Sequence, residues 1–280
     1  MLEAVATAVT LGAIYFLASC GMSFVYGTAG FLNLAHGQIF ALGPYVAFAL
    51  ISILKLDLYV SCLLVIIISG LFGLALYSGI LMHIRSEGLA IITTLSLLYL
   101  LQELFLITFR ETPISLPKFY INPPYLLRNF SLNDVILMIL ALITVTLLML
   151  FVERSYLGKI IQAVAQDKMA AELMGIKVKR INALAMSVSC VFASLAGVLY
   201  CQIYSITPLT GSLINVLALA MVVVGGLGSI RGCFIASFAL SFLTVFSILY
   251  LGIRWSLTFP LIILIVMILV KPTGLFGRVQ

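Results

Sequence analysis

Asn33 and His36 lie in the stretch Gly30-Phe-Leu-Asn-Leu-Ala-His-Gly-Gln-Ile-Phe-Ala-Leu-Gly-Pro44, between the apolar runs Leu11–Tyr26 and Tyr45–Leu54. An amide and an imidazole can hydrogen-bond freed backbone groups, or they can face a passing solute. Gly30, Gly37, Gly43 and Pro44 accompany them where the chain should run as unbroken helix. Lipid cannot hydrogen-bond a loosened backbone, so such a break survives only if buried in protein or lining a wet cavity. The plainer alternative is a short interfacial loop with a helix cap.

A second stretch resembles the first. Displaced by 195 positions, Gly30–Ala41 lies on Gly225-Gly-Leu-Gly-Ser-Ile-Arg-Gly-Cys-Phe-Ile-Ala236. Gly30, Leu32, Gly37 and Ala41 match Gly225, Leu227, Gly232 and Ala236, and His36 or Arg231 precedes the second glycine. Paired Gly-interrupted apolar segments in two halves point to a transporter's translocation site. Asn33, His36, Gly37, Gly225, Gly228 and Gly232 are therefore the candidates for lining or shaping a path, and the two breaks are expected to meet near a common cavity.

The elements that position these residues follow from composition. The 280 residues are 64% hydrophobic and 9% charged, against about 45–50% and 25% in soluble domains. That surplus reads as a polytopic membrane protein of one all-α domain, a transmembrane helical bundle of about 8–10 segments. The net charge of +6 sits in particular loops, so it reports orientation and not nucleic-acid binding. Five cysteines in apolar runs, without Cys-x-x-Cys spacing, suggest neither a disulfide framework nor a metal site. Met1-Leu2-Glu3 lacks a basic n-region, which argues against a cleaved signal peptide.

Spans of about 20 apolar residues fall near 8–28, 36–54, 58–82, 88–109, 134–152, 181–204, 214–228, 233–251 and 256–271. The second and seventh adjoin the glycine breaks and read as full spans or as half-helices. Loop 153–180 holds Arg154, Lys159, Lys168, Lys177, Lys179 and Arg180, which places it in the cytoplasm. Loop 110–133, with Arg110, Lys118 and Arg128 beside Pro113, Pro117, Pro123 and Pro124, then lies outside. Arg85, Lys271 and Arg278 agree with that core. Nine full spans put the N-terminus outside, and one re-entrant segment puts it inside. Six segments between the two glycine breaks make them parallel, and five make them inverted.

Within loop 153–180, Leu157, Ile161, Val164, Met169 and Leu173 fall on roughly one face of a helix that runs to Met174. Lys159, Gln162, Gln166, Lys168 and Glu172 take much of the other face, and Gly175 closes the helix as a C-cap. Such a helix lies on anionic lipid or docks apolar face first in a groove on a cytoplasmic partner. The chain has no Gly-x-x-x-x-Gly-Lys-[Ser/Thr] loop, and its one Gly-Lys pair, Gly158-Lys159, is followed by Ile160. Energy for active transport must therefore come from a partner.

Gly30-Phe-Leu-Asn-Leu-Ala-His-Gly37, Ala163-Val-Ala-Gln-Asp-Lys-Met-Ala-Ala-Glu-Leu-Met-Gly-Ile176, Ala193-Ser-Leu-Ala-Gly-Val-Leu-Tyr200 and Val224-Gly-Gly-Leu-Gly-Ser229 resemble the branched-chain amino-acid ABC permeases of the Liv type. The resemblance covers nearly the whole chain. It implies a multi-pass bacterial inner-membrane subunit without cofactor, paired with a second homologous permease. Two ABC ATPase subunits would sit below, and a periplasmic amino-acid-binding protein would deliver leucine, isoleucine or valine. It also implies that the segment with Asp167, Ala170, Ala171, Leu173 and Gly175 contacts the ATPase. Related urea, amide and other small-solute systems share these motifs.

Other polar residues carry weaker signals. Glu103, beside Gln102, is ionisable at membrane depth and either serves function or snorkels outward. Arg231 reads as a cytoplasmic anchor or a solute contact, and Pro260 as a kink in the last helix. An intramembrane enzyme would need a nucleophile with its base or a carboxylate pair. No Gly-x-Ser-x-Gly or His-Glu-x-x-His occurs, so the chain is expected not to be an enzyme. An ion-coupled carrier is the nearer rival, but it has no obvious use for a docking helix.

Overall fold

The computed structural model describes residues 1–84, 86–118, 125–127, 130–271 and 273–277. Arg85, Pro123, Pro124, Arg128 and Arg278 lie outside the described residues. Spanning segments must satisfy their own backbone hydrogen bonds, so the apolar runs are helices. In chain order these are α1 (Leu2–Ala29), α2 (His36–Leu54), α3 (Leu58–Gly79), α4 (Glu87–Phe109) and α5 (Leu132–Arg154). After two short helices, α6 (Tyr156–Gln166) and α7 (Lys168–Leu173), come α8 (Val178–Cys201), α9 (Thr210–Gly225), α10 (Ile230–Leu251) and α11 (Thr258–Val270). Two short antiparallel strands, β1 (Tyr125–Leu127) and β2 (Phe130–Ser131), precede α5.

Among the described residues eight helices are long and apolar enough to cross a membrane, α2 included. α9 has 16 residues, about 24 Å of rise, short of a hydrocarbon core of about 30 Å. Of the two ambiguous segments, the second is a full-length helix and the seventh a short one. Pro260 does not kink the last helix. It lies in the first turn of α11, where its missing N–H has no helical acceptor.

Contacts fix the helix directions. The C-terminal end of α1 meets α6: a Cβ on Gly27 would stand 3.2 Å from the Ala165 Cβ. At the opposite end Tyr250 Oη donates to Met1 Sδ at 3.7 Å, and Ile114 bridges Ile206. α1 therefore starts at the end remote from α6–α7, and the helices alternate in direction from there. The N-terminus and the basic α6–α7 segment thus lie at opposite ends of the bundle, as an odd number of traversals requires; the positive-inside bias, applied to α6–α7, would put the N-terminus outside. Both breaks follow a helix that ends on the α6–α7 side, α1 and α9, which makes the two copies parallel. The first then runs back into the bundle, where His36 stands beside Ala18, 12 residues and about 18 Å before Gly30. Gly228 packs within 3.6 Å of Gly27 Cα, measured from its ideal Cβ position.

The packing follows a different repeat. α1 packs on α10 as α8 packs on α3, and α2–α8, α2–α3 and α2–α4 have their counterparts in α9–α1, α9–α10 and α9–α11. α1–α4 and α8–α11 are thus two inverted units. Small residues allow the close crossings, as expected where lipid supplies no hydrophobic drive between helices. Ser241 Oγ donates to the Ala8 carbonyl at 2.8 Å and Ser19 bonds Ser237 at 3.0 Å across α1–α10. Across α3–α8, Ser187 Oγ donates to the Gly70 carbonyl at 2.8 Å and Asn182 Nδ2 to Tyr77 Oη at 3.0 Å.

Candidate functional site

α1 ends at Gly30, whose φ of 84° is the left-handed cap that glycine adopts most readily. The chain then runs without helix to His36, and protein satisfies the freed groups. The Ala35 N–H donates to Asn33 Oδ1 at 3.1 Å and the Leu34 N–H to Thr94 Oγ1 at 3.2 Å. Asn33 Nδ2 points at Met186 Sδ, 3.7 Å away. His36 is fully buried, with Nε2 2.6 Å from the Ala18 carbonyl oxygen, an acceptor only, so Nε2 carries the proton. Nδ1 then faces Ser189 Oγ at 3.5 Å. Asn33 and His36 therefore stitch the broken segment to α1 and α8, and the Leu34 N–H ties it to α4.

Gly37 opens the start of α2 to α9. Its N–H donates to Asn215 Oδ1 at 3.2 Å, and a Cβ here would collide with the Gly211 carbonyl oxygen. Gly37 and Gly211 are each the second residue of their helix, so the inverted units meet at their glycines. Pro44 deprives the Phe40 carbonyl of its helical donor. That oxygen lies where a Cβ on Gly197 would be, drawing α2 onto α8. The second break is separate. Gly225 and Gly232 face each other so closely that a Cβ on either would collide with the other's backbone. The C-terminal tail completes this turn, with Leu275 N–H donating to the Val224 carbonyl at 2.9 Å and Phe276 N–H to Gly225 at 3.1 Å. These are carbonyls that the end of α9 would otherwise leave unpaired. The structure thus joins Asn33, His36 and Gly37 in one cluster and Gly225, Gly228 and Gly232 in another. Gly27 of α1 touches the second cluster through Gly228.

Composition-based reading missed a polar cluster between the starts of α2 and α9. Gln38 Nε2 donates to the Pro208 carbonyl at 3.1 Å and to Gln102 Oε1 at 3.3 Å, which also accepts from Ser212 Oγ at 2.6 Å. Gln38 Oε1 is buried without a partner. The available signal was three amide or hydroxyl side chains in apolar runs, at no shared spacing.

The single cytoplasmic helix expected through Met174 is two helices. Asp167 ends α6 and caps α7, its Oδ1 accepting from Ala170 N–H at 3.0 Å. A Ser155 cap starts α6, with the Gly158 N–H donating at 2.9 Å. Splitting the helix turns its apolar residues two ways. Ile161 and Val164 pack inward, and Ala171, 5% exposed, does as well, which removes it from any outer docking face. Leu173 and Met174 are more than four-fifths exposed, with Met169 beside them, and Ala170 is also exposed. Gly175, at φ 82°, donates to the Glu172 carbonyl at 2.9 Å while Ile176 N–H reaches Ala171 at 3.0 Å. That pair of bonds is a Schellman closure, the expected C-cap. The Lys168 ammonium comes to 2.9 Å from where a Gly30 Cβ would stand, a favourable charge beside the C-terminus of α1. Arg231 lies at this end, exposed and 3.9 Å from Glu153, a surface pair and not a membrane-depth contact.

The profile of the branched-chain amino acid transport system permease component matches residues 4–269. The high-affinity branched-chain amino acid transport system permease protein LivH of Salmonella typhimurium is 30% identical, over 96% of this chain and 93% of its own. BraD, the corresponding protein of Pseudomonas aeruginosa, is 28% identical over 99% and 96%. PsaBC from Streptococcus pneumoniae, solved in complex with Fab, superposes with a TM-score of 0.56 over 98% of this chain and 92% of that one. At 17% identity it shows the shared fold alone. Gly-broken apolar helices, a basic pair of short helices between them and this similarity along the whole chain lead to one assignment: the chain belongs to the branched-chain amino acid transport permease family, as a multi-pass inner-membrane transport subunit.

Proposed function

We propose that this subunit is the membrane-spanning part of an ABC importer that moves branched-chain or related amino acids inward. In this reading it pairs with a second homologous permease, takes solute from a periplasmic binding protein and is driven by two separate ATPase subunits. A zwitterion exposed to hydrocarbon meets a prohibitive desolvation cost, so the subunit's task is a wet, weakly binding path that opens to each side in turn. Tight selection can reside in the binding protein.

The observation that carries the reading is α7. It projects Met169, Leu173 and Met174 outward at the basic end while Asp167 and Gly175 fix both its ends. Its root lies against α1 through Lys168 and Gly30, and α6 lies against α1 through Ala165 and Gly27. A push on α7 therefore reaches the end of α1, the break beneath α2 and, through Gly228, the α9–α10 turn. In this reading Asn33, His36 and Gly37 hold the broken start of α2 beside the path. Gly225, Gly228 and Gly232 form the turn that moves with α1.

The test is recovery of the ATPase on Leu173→Asp protein, together with ATP-driven uptake in reconstituted vesicles. An unpaired carboxylate in a desolvated contact costs on the order of several kcal/mol, so recovery and uptake should both fall while the permease stays inserted. If α7 lies on lipid, the ATPase is recovered undiminished and the docking assignment is wrong.

A further inference from the structure

We propose that Glu103 is a solute contact: its carboxylate faces a wet path closed by the second permease subunit and receives the ammonium group of the amino acid. This rests on the amino-acid importer reading above. Glu103 lies 16 residues beyond Glu87 and six before Phe109, hence about 24 Å and 9 Å from the two ends of α4. That is inside a hydrocarbon layer of about 30 Å. The side chain is exposed, and no ion pair or hydrogen bond reaches it among the described residues.

A charge at this depth belongs on a protein or water face and not on a lipid face. Ser96, Tyr99 and Glu103 follow one another on the exposed side of α4 at spacings of three and four, which puts them on one helix face, with Leu100 and Ile107 flanking Glu103. α3 and α11 carry no acidic side chain on their exposed faces. α11 presents Ile262, Ile265, Val266 and Leu269, and α3 presents Leu63, Ile67 and Leu71, as lipid contact demands. α4, like α3 and α5, has only 28% of its spanning window buried in the single subunit, so a second protein has room to cover its polar face. Gln102, next to Glu103, continues the polarity inward to Gln38 and Ser212. A seam of polar groups thus leads from the exposed stripe to the broken start of α2. A carboxylate there attracts an ammonium group and repels the amino acid's own carboxylate, which orients the zwitterion in the path.

The experiment uses the assembled transporter in vesicles. Glu103→Cys is treated with a cationic, water-soluble methanethiosulfonate, which reacts with thiolate and so requires water at the site. The unsubstituted chain sets the background of its five cysteines. Ile67→Cys, on the exposed face of α3, is the lipid-facing control. Labelling of Glu103→Cys well above both, slowed by leucine, is the expected result, and reactivity no greater than Ile67→Cys overturns the proposal. In parallel, Glu103→Gln should lower leucine uptake by about tenfold, the loss of one charge-assisted contact, with ATPase recovery unchanged. Undiminished uptake removes the ammonium contact even if the site is wet. Failure of the importer reading looks different: parent vesicles would take up no amino acid, while the labelling still decides whether the α4 face is wet.

Discussion

Replacing Gly37 by alanine adds one methyl group at the crossing of α2 and α9. Its Cβ would stand 2.5 Å from Asn215 Cβ and 2.7 Å from Asn215 N, besides colliding with the Gly211 carbonyl. Carbon contacts settle near 3.5–4 Å, so the helices must part by about 1 Å. The obstruction is backbone, which no rotamer change can clear. Overpacking of this kind costs roughly 1–3 kcal/mol, and parting the helices also breaks the Gly37–Asn215 bond, worth about 1 kcal/mol. The expected loss is about 2–4 kcal/mol, a fall in Tm of about 3–7 °C for a chain of this length. Gly79→Ala is the matched control, because Gly79 in α3 has nothing within 4 Å of its Cβ position. Thermal unfolding in detergent and ATP-driven uptake in vesicles are measured for both variants, which should insert normally. Gly37→Ala should melt early and transport poorly, with Gly79→Ala unchanged. Equal melting of the two variants would show that this contact does not hold α2 against α9.

Gly175→Val places a β-branched residue at φ 82°, a strained conformation, and should release the end of α7. ATPase recovery then falls while membrane insertion, read by protease protection, stays intact. Gly27→Leu crowds both Ala165 and Gly228, so ATP hydrolysis should continue with uptake lost; a measured ratio of uptake to hydrolysis equal to the parent's contradicts the relay through α1. Gly274→Val, at φ 77° and against the Gly226 backbone, should detach the tail and expose the Val224 and Gly225 carbonyls, losing about 1–3 kcal/mol in denaturation. His36→Ala removes the bond to Ala18 and leaves a void among α1, α2 and α8, a loss of about 2–4 kcal/mol by the same assay.

Hydropathy and charge are local quantities, and they determined the membrane class, the helical fold and most of the spans. The αL closure at Gly175 was legible for the same reason: its cap chemistry is written within a few residues. The likeness of Gly30–Ala41 to Gly225–Ala236 marked two helix breaks, which the structure holds in separate clusters, and it did not reveal the repeat of the packing. That repeat pairs Gly37 with Gly211, and a Gly–Gly approach leaves no mark in sequence because glycine also serves caps and lipid-facing crossings. The split at Asp167 was hidden by an apolar period that runs through it. Only the body of the bundle decides that Ile161 and Ala171 turn inward while Leu173 stays out. Gln38, Gln102 and Ser212 meet from three helices, and Lys168 meets Gly30 across 138 positions. Such contacts arise when distant segments pack, so their partners are set by helix crossing and not by spacing along the chain.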